Sequence, residues 1–253
     1  MIRVSASAFD VLWDDLGHTR APEPLAVRNV GGTRQERAEI RRAVYENLAE
    51  RGLYDGDRLD AALEARLGLL ANAELFVECE ALADMTAEAP FRAVAAVRGR
   101  HGVLAAQPGQ TISLSSIRDG EVFSAIIDVL PELSPGPGYG VSLPATTLGE
   151  RVDGVADPVF GDGRTRSGAS ETQLREVLAI QARPVYSAGQ FSVRVREPGG
   201  GLRRAGGLTW FDTDVGAYCA AVTEGRGGRD WVNVAPVDGP RLASRLAALV
   251  NPD

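Results

Sequence analysis

The 253-residue sequence contains few of the side chains that usually carry enzyme chemistry. Its two histidines, His18 and His101, each lie beside a glycine in an expected turn, where a catalytic base would lack positioned partners. Its two cysteines, Cys79 and Cys219, stand alone in strand-like runs and match no metal-binding or redox spacing. No nucleophile elbow of the G-x-S-x-G type occurs. We therefore predict no catalytic residue, no bound metal, no cofactor and no enzymatic activity.

The sequence also lacks lysine, and its 27 basic residues, all arginines, are outnumbered by 34 acidic ones. A net charge of −7 argues against binding to nucleic acid or to an anionic membrane surface, because both favour clustered basic residues. Apolar runs long enough to span a membrane are absent, and Asp10, Asp14 and Asp15 interrupt the apolar residues near the N-terminus, unlike a secretory signal. We expect a soluble, cytoplasmic protein without membrane insertion.

Two segments, residues 111–131 and 231–252, look like copies of one unit. Each contains a short alternating run, an Asp-Gly pair, an amphipathic run and a proline. Asp119 and Asp238 stand where the N-cap of a helix is expected, and apolar residues follow at helical spacing. About three further strand-like runs and a helix with a capping signal precede each copy. A duplicated unit of helix, strands and helix is therefore predicted.

The duplication predicts a single domain built from two pseudo-symmetric halves, about 1–130 and 141–253. Residues 131–140, rich in proline and glycine, cannot support a regular element and are expected to link the halves. The fold class that follows is α/β, with both halves contributing to one shared sheet. Between the halves we also expect a short helix within 143–152 and a mobile loop at 154–168.

Local signals place the remaining elements. Helices are predicted to begin at Ser7, at a capping box formed by Thr33 and Glu36, and at Asp57. Short, turn-rich connections between apolar alternating runs indicate antiparallel hairpins. The predicted strands cover residues 2–5, 75–79, 91–98, 103–107, 111–114, 191–195, 204–211, 217–222 and 231–234.

One acidic motif leaves an alternative open. Asp212 and Asp214 flank Thr213 and could hold a divalent cation through their carboxylates, although aspartate between two strands more often forms a turn. A metal-dependent hydrolase that uses Asp212 and Asp214, or a protein that binds a small molecule or lipid, is therefore the alternative to a protein-binding function.

Longer stretches of the sequence carry a family resemblance. They are FDVLWDDLG, PEPLAV, GGTRQERAEIRRAVYENLAERGL, SPGPGYGVSLP, AGQFSVRV, LTWFDTDVGAY and WVNVAPVDGPRLASRLAALV. In this order, spread over nearly the whole chain, they resemble the EspG family of proteins associated with ESX, or type VII, secretion in actinobacteria.

The resemblance implies both a fold and a function. It implies two pseudo-symmetric halves that share a central, strongly twisted antiparallel sheet, flanked by N-terminal and C-terminal helical bundles. It also implies a cytosolic chaperone, not an enzyme, whose partner is a PE/PPE or PE/PPE-like heterodimer. Such a chaperone covers the hydrophobic tip of the PPE helical bundle, keeps the pair soluble and directs it to the secretion machine. When unliganded, the exposed apolar surface could form a homodimer.

Four residues are candidates for partner binding. Leu82 and Met85 lie among alanines and acidic residues at 80–90, between two predicted strands, and a flexible methionine suits adaptable recognition. The alternative is a short turn that folds both side chains onto the protein's own surface. Trp210 and Phe211 are aromatic anchors by residue type, although aromatic residues in a strand also serve as core residues.

Overall fold

The computed structural model describes residues 1–146, 168–225 and 228–250. Their helices are α1 (Ala6–Asp15), α2 (Arg34–Glu50), α3 (Ala61–Asn72), α4 (Val122–Ile127), α5 (Gly168–Gln181) and α6 (Gly239–Ala248). Their strands are β1 (Ile2–Ser5), β2 (Leu75–Leu82), β3 (Phe91–Arg98), β4 (His101–Gln107), β5 (Thr111–Arg118), β6 (Val141–Pro144), β7 (Val185–Arg196), β8 (Leu202–Thr213), β9 (Gly216–Gly225) and β10 (Arg229–Pro236). The predicted mixture of helices with an antiparallel sheet is confirmed.

Ten strands form one sheet in the order β1-β5-β4-β3-β2-β7-β8-β9-β10-β6. Every neighbouring pair is antiparallel, as the short connections predicted. Strands β1 to β5 lie next to one another and form one half of the sheet's width, and β6 to β10 form the other half. The two sides meet where β2 pairs with β7, from Leu75 opposite Val195 to Leu82 opposite Ala188.

One face of the sheet is covered by α4 and α6. Their buried residues, Val122, Ile126, Leu242 and Leu246 among them, pack in one core with inward-facing residues from β2, β3, β7, β8 and β9. Every second side chain of a strand points to this face of the sheet. The apolar residues at those positions are therefore buried beneath α4 and α6. Both helices are short, and their burial against the sheet stabilises them more than intrinsic propensity does.

In the part of the chain that the structure describes, the opposite face is covered only at its two ends. Helices α1, α2 and α3 pack over the strands of the first half through apolar residues that include Phe9, Leu12, Leu48 and Leu67. Helix α5 packs over β6, β9 and β10 through residues such as Leu174 and Val177. Between these layers the side chains of β2, β7, β8 and β9 form a strip of open sheet, in which Gln190, Thr209 and Val222 are exposed.

The predicted helix starts are partly confirmed. The capping box of Thr33 and Glu36 is present, and Asp238 accepts a hydrogen bond from the Arg241 backbone N–H as the cap of α6. Asp119 is not a helix cap, because it begins a 3-10 turn and α4 starts at Val122 with no side-chain cap.

Two other predicted starts were wrong by a few residues. Ser5, not Ser7, caps α1 by accepting from the Ala8 N–H at 3.0 Å. Asp60, not Asp57, caps α3. In both cases a second residue with capping chemistry stood nearby in the sequence.

The segment between the halves also differs from expectation. Residues 141–144 form the edge strand β6, which pairs with β10, so the first two residues of the short helix predicted within 143–152 belong to a strand. Residues 147–152 of that predicted helix and residues 154–167 of the predicted mobile loop lie outside the described residues. The linker itself contacts the sheet, because the Gly136 N–H donates to the Ala217 carbonyl oxygen at 3.1 Å.

Candidate functional site

The open strip carries a row of apolar side chains at one end. Leu82 of β2 lies opposite Ala188 of β7, and Ala188 lies opposite Phe211 of β8. Residues that face each other across strands point to the same side of a sheet, so these three share the open face. Phe211 is half-buried and stacks on Tyr218 of β9, with ring centroids 5.8 Å apart. The structure thus brings together two residues that were predicted separately, Leu82 and Phe211.

Met85 lies in the loop between β2 and β3, beside this row. Its backbone N–H donates to the Tyr186 carbonyl oxygen at 3.0 Å, which fixes the loop to the start of β7. Asp84 shapes the loop, because its carboxylate accepts from the Thr86 N–H at 2.8 Å and from the Thr86 hydroxyl at 2.7 Å. The same hydrogen bonds lower the pKa of Asp84. The Met85 side chain is 46% exposed, so a shaped turn presents an apolar group to solvent.

Tyr186 adds an aromatic side chain that sequence reasoning missed. A register shift between Val185 and Ser187 places Tyr186 in a β-bulge, and its side chain is 55% exposed. A bulge re-aims side chains and breaks the alternation on which a strand prediction relies, so the preceding proline was the only local signal of an irregularity. We call Leu82, Met85, Tyr186 and Phe211 the apolar corner.

Trp210 lies on the other face of the sheet. Its register row runs through Ala81, Gly189 and Cys219, and its side chain is 1% exposed within the core under α4 and α6. The indole packs so closely on Gly189 that a Cβ there would lie 2.7 Å from Trp210 Nε1. Trp210 therefore supports the sheet beneath the apolar corner, whereas Phe211 belongs to the open face.

Charged groups occupy the strip beyond the apolar corner. Glu80 receives an ion pair from Arg92 at 3.1 Å and a hydrogen bond from the Gln190 amide at 3.4 Å. One row further, Arg194 forms an ion pair with Glu78 and lies 3.7 Å from Glu23 of the segment before α2. Opposite charges across the strands thus largely neutralise each other along the strip.

Glu78 is the most deeply buried of these charges, at 7% exposure. Burial raises the pKa of its carboxyl to about 7, although the Arg194 guanidinium acts in the opposite direction. The cost of desolvation exceeds the stabilisation that a single ion pair returns to the carboxylate. Glu78 is therefore a group in the open strip that gains a proton near neutral pH.

Two depressions follow the strip towards the first helical layer. One, of about 460 Å³, is lined by residues that include Glu23, Glu80 and Ser192. The next, of about 310 Å³, shares Glu23 and reaches Trp13 and Leu202. The two depressions are therefore neighbours that meet at Glu23, beside the first helical layer.

The acidic motif of the alternative, metal-dependent hypothesis lies outside the open strip. Asp214 lies in the turn after β8, and its carboxylate accepts from Arg183 Nη1 at 3.2 Å. Within 1–146, 168–225 and 228–250, no group of three potential metal-ligating side chains is found. Cys79 and Cys219 are buried and unpaired, and burial raises the pKa of the Cys79 thiol to about 12. No helix in the described part of the chain is long and apolar enough to cross a membrane.

Comparison with known proteins identifies relatives of the whole chain. The sequence model described as the EspG family matches residues 5–248. Among solved structures, the chain is similar to the Mycobacterium tuberculosis type VII secretion system chaperone EspG5, determined in complex with the PE25-PPE41 dimer. The TM-score is 0.72 at 16% identity, over 99% of this chain and 95% of that chain, which shows a shared fold. No curated protein sequence matches.

Proposed function

This chain belongs to the EspG family, and we propose that it is a cytoplasmic secretion chaperone for a PE/PPE-type heterodimer. In this proposal it binds the hydrophobic tip of the pair, keeps the pair soluble and directs it to an ESX type VII secretion system. The observation that carries the proposal is the apolar corner, four exposed or half-buried apolar side chains at one end of the strip that the described helices leave open. The solved complex of EspG5 with PE25-PPE41 supports the choice of partner.

The physical case starts from the partner. An apolar tip exposed in water favours aggregation, and a protein surface with an apolar centre and a polar surround can cover it. In this protein the apolar corner supplies the apolar centre. The ion pair between Glu80 and Arg92, together with the Gln190 amide that donates to Glu80, supplies part of the polar surround. Met85 adapts its shape to a partner, and Tyr186 and Phe211 offer large contact areas. Neither a nucleotide nor a metal is required for such binding.

We propose in addition that the two halves are related by an approximate two-fold axis between β2 and β7. Read outward from that pair, the strand orders are β2-β3-β4-β5-β1 and β7-β8-β9-β10-β6, which are identical once five is added to each number. Helix α4 follows β5, and α6 follows β10, in the same way. In this proposal the chain is one domain, with halves 1–130 and 141–253, linker 131–140, a twisted sheet and helical bundles from both ends of the chain.

We propose that the protein is not an enzyme. The alternative is a hydrolase using Asp212 and Asp214 or a protein that binds a small molecule or lipid. For the hydrolase, a cation at Asp214 would compete with the ion pair that Arg183 forms with this carboxylate. A cation-dependent rise in melting temperature would favour it, since a ligand that binds only the folded state stabilises that state. Without a partner, two copies of the protein can associate through the exposed apolar corner at high concentration and form a homodimer.

Co-expression tests the chaperone proposal. A PE/PPE-type pair from the same genome is expressed alone and together with this protein, and the soluble fraction of the pair is compared. The proposal predicts that the pair is soluble and co-purifies only in the presence of this protein. A pair that stays insoluble beside folded, abundant chaperone would count against it.

A further inference from the structure

Strands β8 and β9 separate within the sheet. They pair from Thr213 opposite Gly216 to Thr209 opposite Ala220, and no earlier residue of β8 pairs with β9 in the part of the chain that the structure describes. Strand β8 nevertheless continues beside β7 back to Leu202, while β9 continues beside β10 to Gly225. The two strands therefore form a fork, whose arms are residues 202–208 and residues 221–225.

The fork contains a cleft of about 510 Å³. Glycines 206 and 207 line one arm, Val222 lines the other, and Val232 contributes from β10. A Cβ on Gly206 would lie 2.9 Å from Leu249 Cδ2, so the residue that follows α6 closes the cleft from one face of the sheet. The other face is open, because Val222 is 63% exposed there. It is the face that carries the apolar corner.

The arms present backbone as well as side chains. In a strand paired on one side only, alternate residues direct their N–H and C=O groups away from the partner. In the β8 arm a bulge at Ala205 shifts this alternation once, because Gly206 lies opposite Val193 and Arg204 opposite Arg194. Such an edge is a template for another extended chain. Gly207 itself adds no side chain to this arm, and a Cβ there would lie 2.6 Å from the Phe191 carbonyl oxygen.

The cleft also carries a positive charge. Arg204 is exposed, and its guanidinium reaches over Gly207, because a Cβ there would lie 2.7 Å from Arg204 Nη2. Among the described residues this guanidinium forms no hydrogen bond or ion pair, although its charge acts on the carboxyl of Glu78. Arg203, the preceding residue, differs because it pairs with Glu197 at 3.5 Å. Arg204 is thus available for a carboxylate from outside the chain.

We propose that the fork binds an extended segment of the client polypeptide, which adds as a strand to the β8 arm and places a carboxylate on Arg204. The identity of the client rests on the proposed function, but the recognition chemistry does not. An apolar side chain of the segment lies over Val222 and Val232, and main-chain hydrogen bonds to residues 202–208 supply the rest of the affinity. The client would therefore combine an apolar tip with a neighbouring acidic strand-forming segment.

The test uses a labelled peptide and the whole protein. The probe is a fluorescein-labelled peptide of about seven residues, in which valine and threonine alternate around a central aspartate. Its matched control carries arginine in place of aspartate. We expect the aspartate probe to bind about 10-fold more tightly than the arginine control, because only aspartate can form a charge-assisted hydrogen bond with Arg204. Hydrogen exchange should slow in residues 202–208 when the probe is bound.

Charge reversal at Arg204 provides the decisive comparison. Arg204→Glu should invert the preference between the two peptides, whereas Arg203→Glu, with the same change in net charge, should preserve it. Absence of binding by the aspartate probe, protection confined to other strands, or equal effects of the two variants would overturn the proposal. A dimer of this chain that protects residues 202–208 in place of the probe would also overturn it.

Failure of the proposed function gives a different result. If the probe binds at the fork but no PE/PPE-type pair forms a complex, the chaperone proposal fails and the fork remains a peptide site. If a pair forms a complex in which residues 202–208 exchange as fast as in the free protein, the fork proposal fails and the chaperone proposal remains.

Discussion

Leu82 and Phe211 lie in one cross-strand row on the open face of the sheet, on either side of Ala188. With strands about 4.8 Å apart, two strand spacings separate them, so one partner side chain can contact both. They are more than 120 positions apart in the sequence, and only the pairing of β2 with β7 brings them together. The apolar corner therefore depends on the pairing of β2 with β7.

The first prediction concerns Met85. Met85→Glu should weaken binding of a PE/PPE-type pair by at least about 10-fold, because a charge would have to be desolvated against an apolar tip. Stability should change by no more than about 0.5 kcal/mol, since the side chain is at the surface. Calorimetric titration and urea unfolding measure the two effects. Ala43→Glu, exposed on α2, is the matched control and should bind normally.

A second prediction follows from the raised pKa of Glu78. The folded state binds a proton at this carboxyl up to about pH 7, whereas the unfolded chain releases it near its ordinary value of 4.5. Between these values the folded state holds more protons, so the contribution of Glu78 to stability falls as pH rises. Glu78→Gln removes this titration. Its stability relative to the unmodified protein should therefore improve between pH 5 and pH 8, by on the order of 1 kcal/mol or more.

Urea unfolding at several pH values measures this difference. A constant offset between the two proteins from pH 5 to pH 8 would show that Glu78 titrates as an ordinary carboxyl, with the Arg194 pair outweighing burial. Arg194 keeps Glu23 as a second partner at 3.7 Å, so the variant is not expected to leave an isolated buried cation.

Gly136 provides the third prediction. A Cβ at this position would lie 2.3 Å from Cζ of Tyr218, a buried ring whose hydroxyl donates to the Pro137 carbonyl oxygen at 3.0 Å. Gly136→Ala must displace that ring or the linker, and it should destabilise the protein by about 1–3 kcal/mol. Gly109→Ala meets open space and should change stability by less than about 1 kcal/mol. Equal unfolding midpoints in urea would contradict the close packing of the linker on β9.

The single-domain proposal yields the fourth prediction. A protease site inserted after Tyr139, a side chain that is 88% exposed, allows the folded chain to be cut within the linker. The fragments should remain associated and unfold in one transition, because eight consecutive residue pairs join β2 to β7. Calorimetry of the cut and uncut proteins measures this. Two separate transitions, or fragments that separate on a sizing column, would mean that the halves are independent domains.

Much of the fold follows from local signals in the sequence. Apolar alternation and short turns located most of the strands, and the bounds predicted for β3, Phe91–Arg98, are those observed. The capping box at Thr33 located α2, because its chemistry involves residues only three apart. At the beginnings of α1 and α3 the sequence offers two residues that can cap a helix within a few positions. The predicted beginnings of these two helices were therefore displaced by a few residues.

The candidate site could be predicted only in part, since it depends on contacts distant in sequence. Alternation indicates that Trp210 and Phe211 face opposite sides, but which side is covered depends on where α4 and α6 pack. Tyr186 reaches the surface through a bulge, and β6 forms by pairing with β10 almost 90 residues later. Leu82, Met85 and Phe211 were therefore recognisable by residue type, whereas Tyr186 and the arrangement of all four required the sheet.

The most direct test of the central claim is the composition of the complex. This protein, co-expressed with a PE/PPE-type pair from the same genome, is separated by size exclusion, and the mass of the eluting species is measured by light scattering. Our account predicts one copy of each of the three chains, and loss of that species with Met85→Glu but not with Ala43→Glu. A folded protein that elutes apart from every such pair would contradict it.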